Sequence, residues 1–195
     1  MKNIVTKSYK ESIHSKETFF KQNMQSVMQS AEIIADTFKA GNKLLICGNG
    51  GSAADAQHLS AEFVNRFVIE RPPLPAVALS TDTSIITSIG NDYTFDQIFS
   101  KQIKAIGKEG DVLLAISTSG DSKNVVLAAK VARDMGIKII GLTGKSGGKM
   151  AKMVDVLLNV DSDITARIQE VHITAGHIIC ELVDHILFNQ EAGKD

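Results

Sequence analysis

The chain has 195 residues, 44% of them apolar, which is enough for one substantial core but too few for two ordinary domains. Its 21 Lys and Arg against 22 Asp and Glu give a net charge of −1, which excludes a general electrostatic attraction to nucleic acid or to an anionic membrane. Charged residues interrupt the apolar ones throughout positions 1–20, which excludes a signal peptide or membrane span there. We therefore expect a cytoplasmic protein with no nucleic-acid or membrane partner.

The predicted elements begin with a long helical segment. Apolar residues recur at helical spacing over positions 8–39, with no Pro or Gly among them, which predicts one or two amphipathic helices. The Ala-Gly-Asn sequence at 40–42 is typical of a helix end, and the apolar run at 43–47 predicts a short buried strand. Cys47 ends this run and Cys180 lies in a later one, so we expect two reduced core thiols rather than a disulfide.

Strands and helices alternate through the rest of the chain. Helices are predicted at 53–67, 83–89, 95–106, 122–135 and 164–188, and strands at 76–79, 112–116, 138–142 and 154–160. Strands separated by helices of this length predict an α/β fold with a doubly wound, five-stranded parallel sheet flanked by helices. The last residues, 190–195, are typical of a frayed tail.

Two turns rich in glycine or hydroxyl side chains directly follow predicted strands, which is where ligands gather in parallel sheets. The first turn is Gly48-Asn49-Gly50-Gly51-Ser52. Its glycines let the backbone approach a ligand closely and present amide N–H groups at a helix start. The turn lacks the Lys and the spacing of a nucleotide P-loop, and it does not match a dinucleotide fingerprint.

The second turn combines four hydroxyls with the start of a predicted helix. Its sequence is Ser117-Thr118-Ser119-Gly120-Asp121-Ser122. Such a turn can satisfy the three terminal oxygens of a phosphate monoester without any Arg. The alternative is that these residues only cap the helix, but a cap requires a single side chain. We therefore favour phosphate binding over capping.

The helix after the first turn carries His58 and Glu62 one turn apart, so an imidazole and a carboxylate share one face. This pair could bind a metal or exchange protons with a substrate. The alternative is an ordinary surface hydrogen bond, which is the commoner situation for an isolated pair of this kind.

The last predicted helix sets Gln169, His172 and His177 into an otherwise apolar pattern, where polar groups need partners. Helix geometry puts His177 about 80° around the axis and about 12 Å along it from Gln169, whereas His172 is one turn away. Spacing alone therefore prefers His172 as the partner of Gln169. For either histidine, the alternative is a hydrogen-bonded core residue.

Taken together, these segments resemble the sugar isomerase (SIS) superfamily and, within it, the bacterial phosphoheptose isomerases, over most of the chain. The matching segments are CGNGGSAADA at 47–56, HLSAE at 58–62, NRF at 65–67, GNDY at 90–93, GDVLL at 110–114, ISTSG at 116–120, LTGK at 142–145 and RIQEVHI at 167–173. The serine turn marks any SIS domain. The combination of His58, Glu62, Gln169 and His177 is much narrower.

The resemblance implies an aldose–ketose isomerase that converts D-sedoheptulose 7-phosphate into D-glycero-D-manno-heptose 7-phosphate, the first step toward the heptose of surface polysaccharides such as lipopolysaccharide. It also implies one zinc ion per subunit and a homotetramer with sites at subunit interfaces. The implied organisation is an N-terminal helical oligomerisation segment at 1–40 and an SIS domain at 41–190.

The resemblance further implies the residues of the site. Glu62 and His177 are the implied catalytic pair, which selects His177 where spacing alone prefers His172. The implied metal ligands are His58, Glu62, Gln169 and His177. The implied contacts to the sugar phosphate are Asn49, Gly50, Gly51, Ser52, Glu62, Asn91, Asp92, Ser117, Thr118, Ser119, Ser122 and Gln169.

Two other functions stay open at this point. Some SIS proteins of similar size are non-catalytic regulatory modules, including a tetramer that contacts the bacterial replication initiator. Such a module has no need of His58, Glu62, Gln169 and His177 together, so their joint presence favours an enzyme. An isomerase of another sugar phosphate would keep the chemistry and change only the sugar.

Overall fold

The computed structural model describes residues 1–188, and the frayed tail predicted at 190–195 lies outside them. The six helices of this part of the chain are α1 (Lys2–Lys39), α2 (Gly51–Val64), α3 (Thr83–Asp92), α4 (Ile98–Ile106), α5 (Lys123–Asp134) and α6 (Thr165–Phe188). The five strands are β1 (Leu44–Cys47), β2 (Ala76–Ala78), β3 (Val112–Ser117), β4 (Lys138–Gly144) and β5 (Val156–Val160). Two short 3-10 turns lie at Phe95–Gln97 and Gly148–Lys152.

All five strands pair in parallel in the order β2-β1-β3-β4-β5, which confirms the predicted doubly wound sheet. The chain starts at β1, adds β2 on one side and then crosses to add β3 on the other. The direction of winding thus reverses between β1 and β3. In such a sheet the crevice beyond the carboxyl ends of the strands at this reversal is the expected ligand site. The two turns singled out in the sequence follow these two strands.

Each face of the sheet is covered by its own apolar cluster. Alternate residues of a strand point to opposite faces, so in β1 the side chains of Leu44 and Ile46 join one cluster and that of Leu45 joins the other. The first cluster packs α1, α2 and α6 on the sheet, and the second packs α4 and α5. Burial on both faces explains why these strands are continuous apolar runs in the sequence.

Several helix ends differ from the predicted ones. Of the predicted one or two N-terminal helices, the structure has one, α1, which begins at Lys2 rather than near residue 8, and α3 continues to Asp92. The helix predicted at 53–67 begins at Gly51 and ends at Val64. At this earlier end, the guanidinium of Arg71 donates to the carbonyl oxygens of Glu62 and Phe63 in the last turn.

The two cysteines are buried free thiols. Burial raises the pKa of the Cys47 thiol to about 12 and also raises that of Cys180, so both stay protonated at neutral pH. Cys180 lies on α6, which by length and composition alone could cross a membrane. Among the described residues, however, one face of α6 packs into the core against α1 and α2, as expected for a central helix of a globular domain.

Candidate active site

The start of α2 forms one end of the site. Gly50 precedes the helix with a φ of 54°, a backbone conformation that glycine adopts readily and other residues avoid. No side chain caps this helix start. Two reciprocal hydrogen bonds between the side-chain amides of Asn49 and Asn124, each 2.8 Å long, connect the turn to the start of α5. The next three N–H groups of α2 donate to backbone carbonyl oxygens of the turn, so among the described residues the N–H of Gly51 is the one that remains available to an anion.

The serine turn lies beside this helix start, between β3 and α5. The hydroxyl of Ser117 donates to that of Ser122 at 3.0 Å, and Ser122 precedes α5 without capping it through its side chain. Gly120 has a φ of 68°, and a Cβ placed there would lie 2.0 Å from the carbonyl oxygen of Gly147. The turn is thus packed tightly against the loop after β4. Because the hydroxyl of Ser122 is not used as a cap, this geometry favours anion binding over the capping alternative.

A cluster of three polar side chains lies where α2 and α6 meet. The Nε2 atom of His58 is 3.0 Å from Oε1 of Glu62 and 3.3 Å from Nε2 of His177. The ligand atoms of all three residues lie within 4.8 Å of one another. The ring of Phe67 stacks on that of His177, with centroids 5.5 Å apart. The His58 side chain is 48% exposed, so the cluster is open to a ligand or to another subunit.

His172 is not part of this cluster. Helix spacing alone preferred it as the partner of Gln169, but its ring hydrogen-bonds to β4 instead. The His172 ring is buried, and its Nε2–H donates to the carbonyl oxygen of Thr143 at 2.9 Å. Burial lowers the pKa of His172 to about 4, so the ring is neutral at pH 7. It is the hydrogen-bonded core histidine that the sequence left as an alternative.

The close approach of α2 and α6 explains why His177, and not His172, lies beside His58. A Cβ on Gly176 would lie 2.7 Å from Cδ2 of Leu59, so the two helices touch at this glycine. His177, the next residue on α6, therefore lies beside His58, the residue before Leu59. The spacing of polar residues along one helix contains no information on this contact.

Gln169 lies at the other end of the site. Its side-chain amide covers Gly51, because a Cβ on this glycine would lie 2.4 Å from Nε2 of Gln169. Gln169 precedes His177 by eight residues, about 12 Å along α6. The single chain therefore groups Gln169 with the start of α2 and does not bring it together with His58, Glu62 and His177.

Asn91 and Asp92 are exposed in the last turn of α3, where the Asn91 amide donates to the Asp92 carboxylate at 2.8 Å. No hydrogen bond among residues 1–188 links them to the turns or to the cluster. Thr118 and Ser119 are half-buried within the serine turn, and Ser52 is buried in the first turn of α2.

Asp55 is a further candidate site residue, one that the sequence analysis did not single out. It lies three residues before His58 and seven before Glu62, on the same face of α2. Its Oδ2 atom is buried and has no hydrogen-bond partner among the described residues. Burial raises the pKa of this carboxyl, and the neighbouring His58 partly offsets the rise. Its spacing from His58 and Glu62 was a usable signal in the sequence.

The buried His172 should make stability depend on pH. Its pKa is 6.5 in the ordinary state and about 4 in the fold, so between these values the unfolded chain binds more protons. Stability should fall as pH falls from about 6.5 to about 4, by about 2–3 kcal/mol from this residue. His172→Gln keeps an N–H donor for Thr143 but does not titrate. Urea unfolding at pH 7 and 4.5 should show a smaller pH dependence in this variant, and equal dependence in both proteins would contradict the prediction.

The contact between Gly51 and Gln169 yields a second prediction. Gly51→Ala should displace the Gln169 amide, which is a flexible end, with little loss of stability. We expect KM for the sugar phosphate that the resemblance implies to rise up to about tenfold, equivalent to the loss of one hydrogen bond between neutral groups. Steady-state kinetics in a Gln169→Ala background provide the control, because the substitution should have no further effect on KM there. An equal rise in KM in the unaltered and the Gln169→Ala backgrounds would show that the effect does not depend on the contact between Gly51 and Gln169.

Comparison with known proteins identifies the family of this chain. The SIS domain family matches residues 8–144. The phosphoheptose isomerase of Nitratidesulfovibrio vulgaris strain Hildenborough is 59% identical over 185 residues, covering 95% of this chain and 89% of the relative.

Two solved structures of phosphoheptose isomerases have the same fold. That from Neisseria gonorrhoeae is 48% identical with a TM-score of 0.89, and covers 94% of this chain and 98% of its own. That from Francisella tularensis is 41% identical with a TM-score of 0.91, and covers 94% of this chain and 97% of its own. By sequence and by structure over nearly its whole length, the chain belongs to the phosphoheptose isomerase family of SIS-domain proteins.

Proposed function

We infer that the chain is an aldose–ketose isomerase that interconverts D-sedoheptulose 7-phosphate and D-glycero-D-manno-heptose 7-phosphate. The observation that carries this function is the convergence of Glu62 and His177 from two helices on one point, together with His58. A phosphate-binding module has no use for this cluster, whereas an isomerase requires an acid–base pair at the carbonyl end of its substrate.

The two turns are the proposed phosphate site. Donors without a full positive charge are supplied by the N–H of Gly51, by the N–H groups at the start of α5, and by the hydroxyls of Ser117, Thr118, Ser119 and Ser122. Gln169 lies above Gly51 and is placed to contact the sugar next to the phosphate. The carbonyl end of the sugar would then extend along α2 toward Glu62.

In the forward reaction, we assign to Glu62 the removal of the proton on C1 of the ketose. The electron pair of this C–H bond forms the C1–C2 double bond, and the carbonyl oxygen on C2 takes a proton from His177, which yields an enediol. Loss of the proton from the oxygen on C1 and return of a proton to C2 then give the aldose. Atoms balance within the substrate, so no redox partner is required.

We propose zinc as the cofactor, held by His58, Glu62 and His177. Zinc–nitrogen bonds of about 2.0–2.1 Å at tetrahedral angles put two ligand nitrogens about 3.3 Å apart, and the Nε2 atoms of His58 and His177 have this separation. Three protein ligands and one open position are typical of catalytic zinc sites. When bound, the metal supplies Lewis-acid polarisation of the two substrate oxygens.

The resemblance implies Gln169 both as a metal ligand and as a substrate contact. Because its amide lies against Gly51 within one chain, we assign it to the substrate. His177 cannot ligate a metal through Nε2 and carry a proton there at the same time, so these two roles are alternatives within one turnover.

We further propose a cytoplasmic homotetramer that shares its sites between subunits and supplies heptose for surface polysaccharides. The exposed apolar side chains on the first half of α1 support the assembly: Ile4, Val5, Tyr9 and Ile13. Such a row on an otherwise amphipathic helix is typical of a subunit contact.

The test is to incubate purified protein with sedoheptulose 7-phosphate and to follow the anomeric protons of the aldose by NMR, with and without a chelator. We expect the aldose phosphate to appear, to be lost with chelator and to return with added zinc. Conversion of a pentulose or hexulose phosphate in preference to the heptulose phosphate would show that the enzyme acts on a shorter sugar. Absence of any conversion would exclude an isomerase.

A further inference from the structure

A buried ion pair joins the end of α2 to α6, next to the cluster. The Nε atom of Arg71 donates to Oδ1 of Asp184 at 2.8 Å, and the two side chains are only 1% and 5% exposed. Arg71 follows α2 on the loop that leads to β2, and Asp184 lies on α6. Neither residue belongs to the substrate contacts or to the acid–base pair.

The same guanidinium also hydrogen-bonds to the backbone of α2. Its Nη2 donates to the carbonyl oxygen of Glu62 at 2.8 Å, and its Nη1 donates to that of Phe63 at 2.7 Å. The last carbonyl groups of a helix have no partner within the helix, so these two bonds fix the turn that carries Glu62. The planar, multiply donating guanidinium makes this arrangement specific to arginine.

Asp184 connects Arg71 to α6, the helix that carries His177. It lies seven residues after His177, two turns along the same face of α6. One side chain thus holds the backbone of Glu62 directly and the helix of His177 through a carboxylate.

Stabilisation of the fold does not account for this ion pair. Buried ion pairs seldom exceed well-packed apolar residues in stabilising a fold, because both charges lose their hydration. Here the Oδ2 atom of Asp184 is also buried without a hydrogen-bond partner among residues 1–188. A polar group left in this way costs stability, which points to a role in placing the groups around it.

We propose that Arg71 and Asp184 are positioning residues that set the separation of Glu62 and His177, and with it the geometry of the metal and acid–base site. The proposal rests on the isomerase function inferred above. Displacing a reacting group by about 1 Å can cost about a hundredfold in rate, so a change in this contact should affect turnover more than substrate binding.

The chain offers a matched control. Lys43 and Asp111 form another ion pair, 2.7 Å long, in which Asp111 is fully buried. These residues directly precede β1 and β3, at the edge of the sheet opposite the site. Asp184→Asn and Asp111→Asn each remove one buried charge from such a pair, but only the first pair touches α2 and α6.

The experiment compares Asp184→Asn, Arg71→Lys and Asp111→Asn with the unaltered protein by kinetics, thermal unfolding and zinc titration against a chromophoric chelator. We expect the first two to lower kcat about 10- to 100-fold with KM within about twofold, and to weaken zinc binding about tenfold. Asp111→Asn should lower the unfolding temperature while kcat and zinc affinity stay unchanged.

Normal kcat and zinc affinity in Asp184→Asn and Arg71→Lys would overturn the proposal, whatever their stability. An equal loss of kcat in Asp111→Asn would also overturn it, because the effect would then be general. Should Asp184→Asn fail to fold, Arg71→Lys, which keeps the charge, decides the question. If the unaltered protein lacks isomerase activity, the proposed function fails instead, and zinc affinity still tests the contact.

Discussion

Glu62→Gln should reduce isomerisation by about 10³- to 10⁴-fold, since general acid–base catalysis contributes up to about this factor. The substitution preserves the shape of the side chain and removes its ability to accept the proton from carbon. The Glu62 carbonyl, which Arg71 holds, is unaffected because only the side chain changes. Sugar-phosphate binding should persist, since the proposed phosphate site lies at the opposite end of α2.

Three measurements check this prediction: turnover, calorimetric binding of sedoheptulose 7-phosphate, and exchange of the C1 proton with deuterated water. Exchange should be lost together with turnover, while binding stays within a few-fold of the original. Glu70→Gln is the control, because the Glu70 side chain is 89% exposed and belongs to no part of the site. Retained proton exchange in Glu62→Gln would show that another group is the base.

His177→Ala should lower kcat at least about a hundredfold, because its Nε2 is one of three atoms at the centre of the cluster. The zinc affinity of this variant separates the two roles of the histidine. If His177 is a zinc ligand, the substitution should weaken zinc binding about 10- to 100-fold or more. If His177 only carries a proton, zinc affinity should stay unchanged.

The control for this variant is His14→Ala, which removes an exposed histidine of α1. Circular dichroism and thermal unfolding establish that both variants fold. If His177→Ala retained normal kcat, neither a ligand nor an acid–base role could be assigned to this residue.

The fold could be predicted because its signals are local. Buried strands such as β3 are unbroken apolar runs, and glycine-rich turns separate them from amphipathic helices. The end of α2 could not be predicted in the same way. Helical periodicity continues past Val64, and the carbonyl oxygens at the actual helix end are hydrogen-bonded by the guanidinium of Arg71, a contact from outside the helix.

The same distinction between local signals and distant contacts applies to the site. The phosphate turns and the His58–Glu62 pair could be read from short segments, because each depends on neighbours within one turn of the chain. The choice between His172 and His177 depends on which face of α6 meets α2, and the contact of Gly176 with Leu59 decides that. Only the family resemblance pointed to His177 in advance.

If the proposed phosphate site and acid–base pair are correct, the distance between them limits the length of the substrate. Gly51 and His58 are separated by seven residues of one rigid helix, about 10 Å along its axis. With its phosphate anchored at the start of this helix, a sugar with a shorter carbon chain would leave its carbonyl short of Glu62. Selection by carbon number would then follow from helix length alone, without any side chain that recognises the extra carbons.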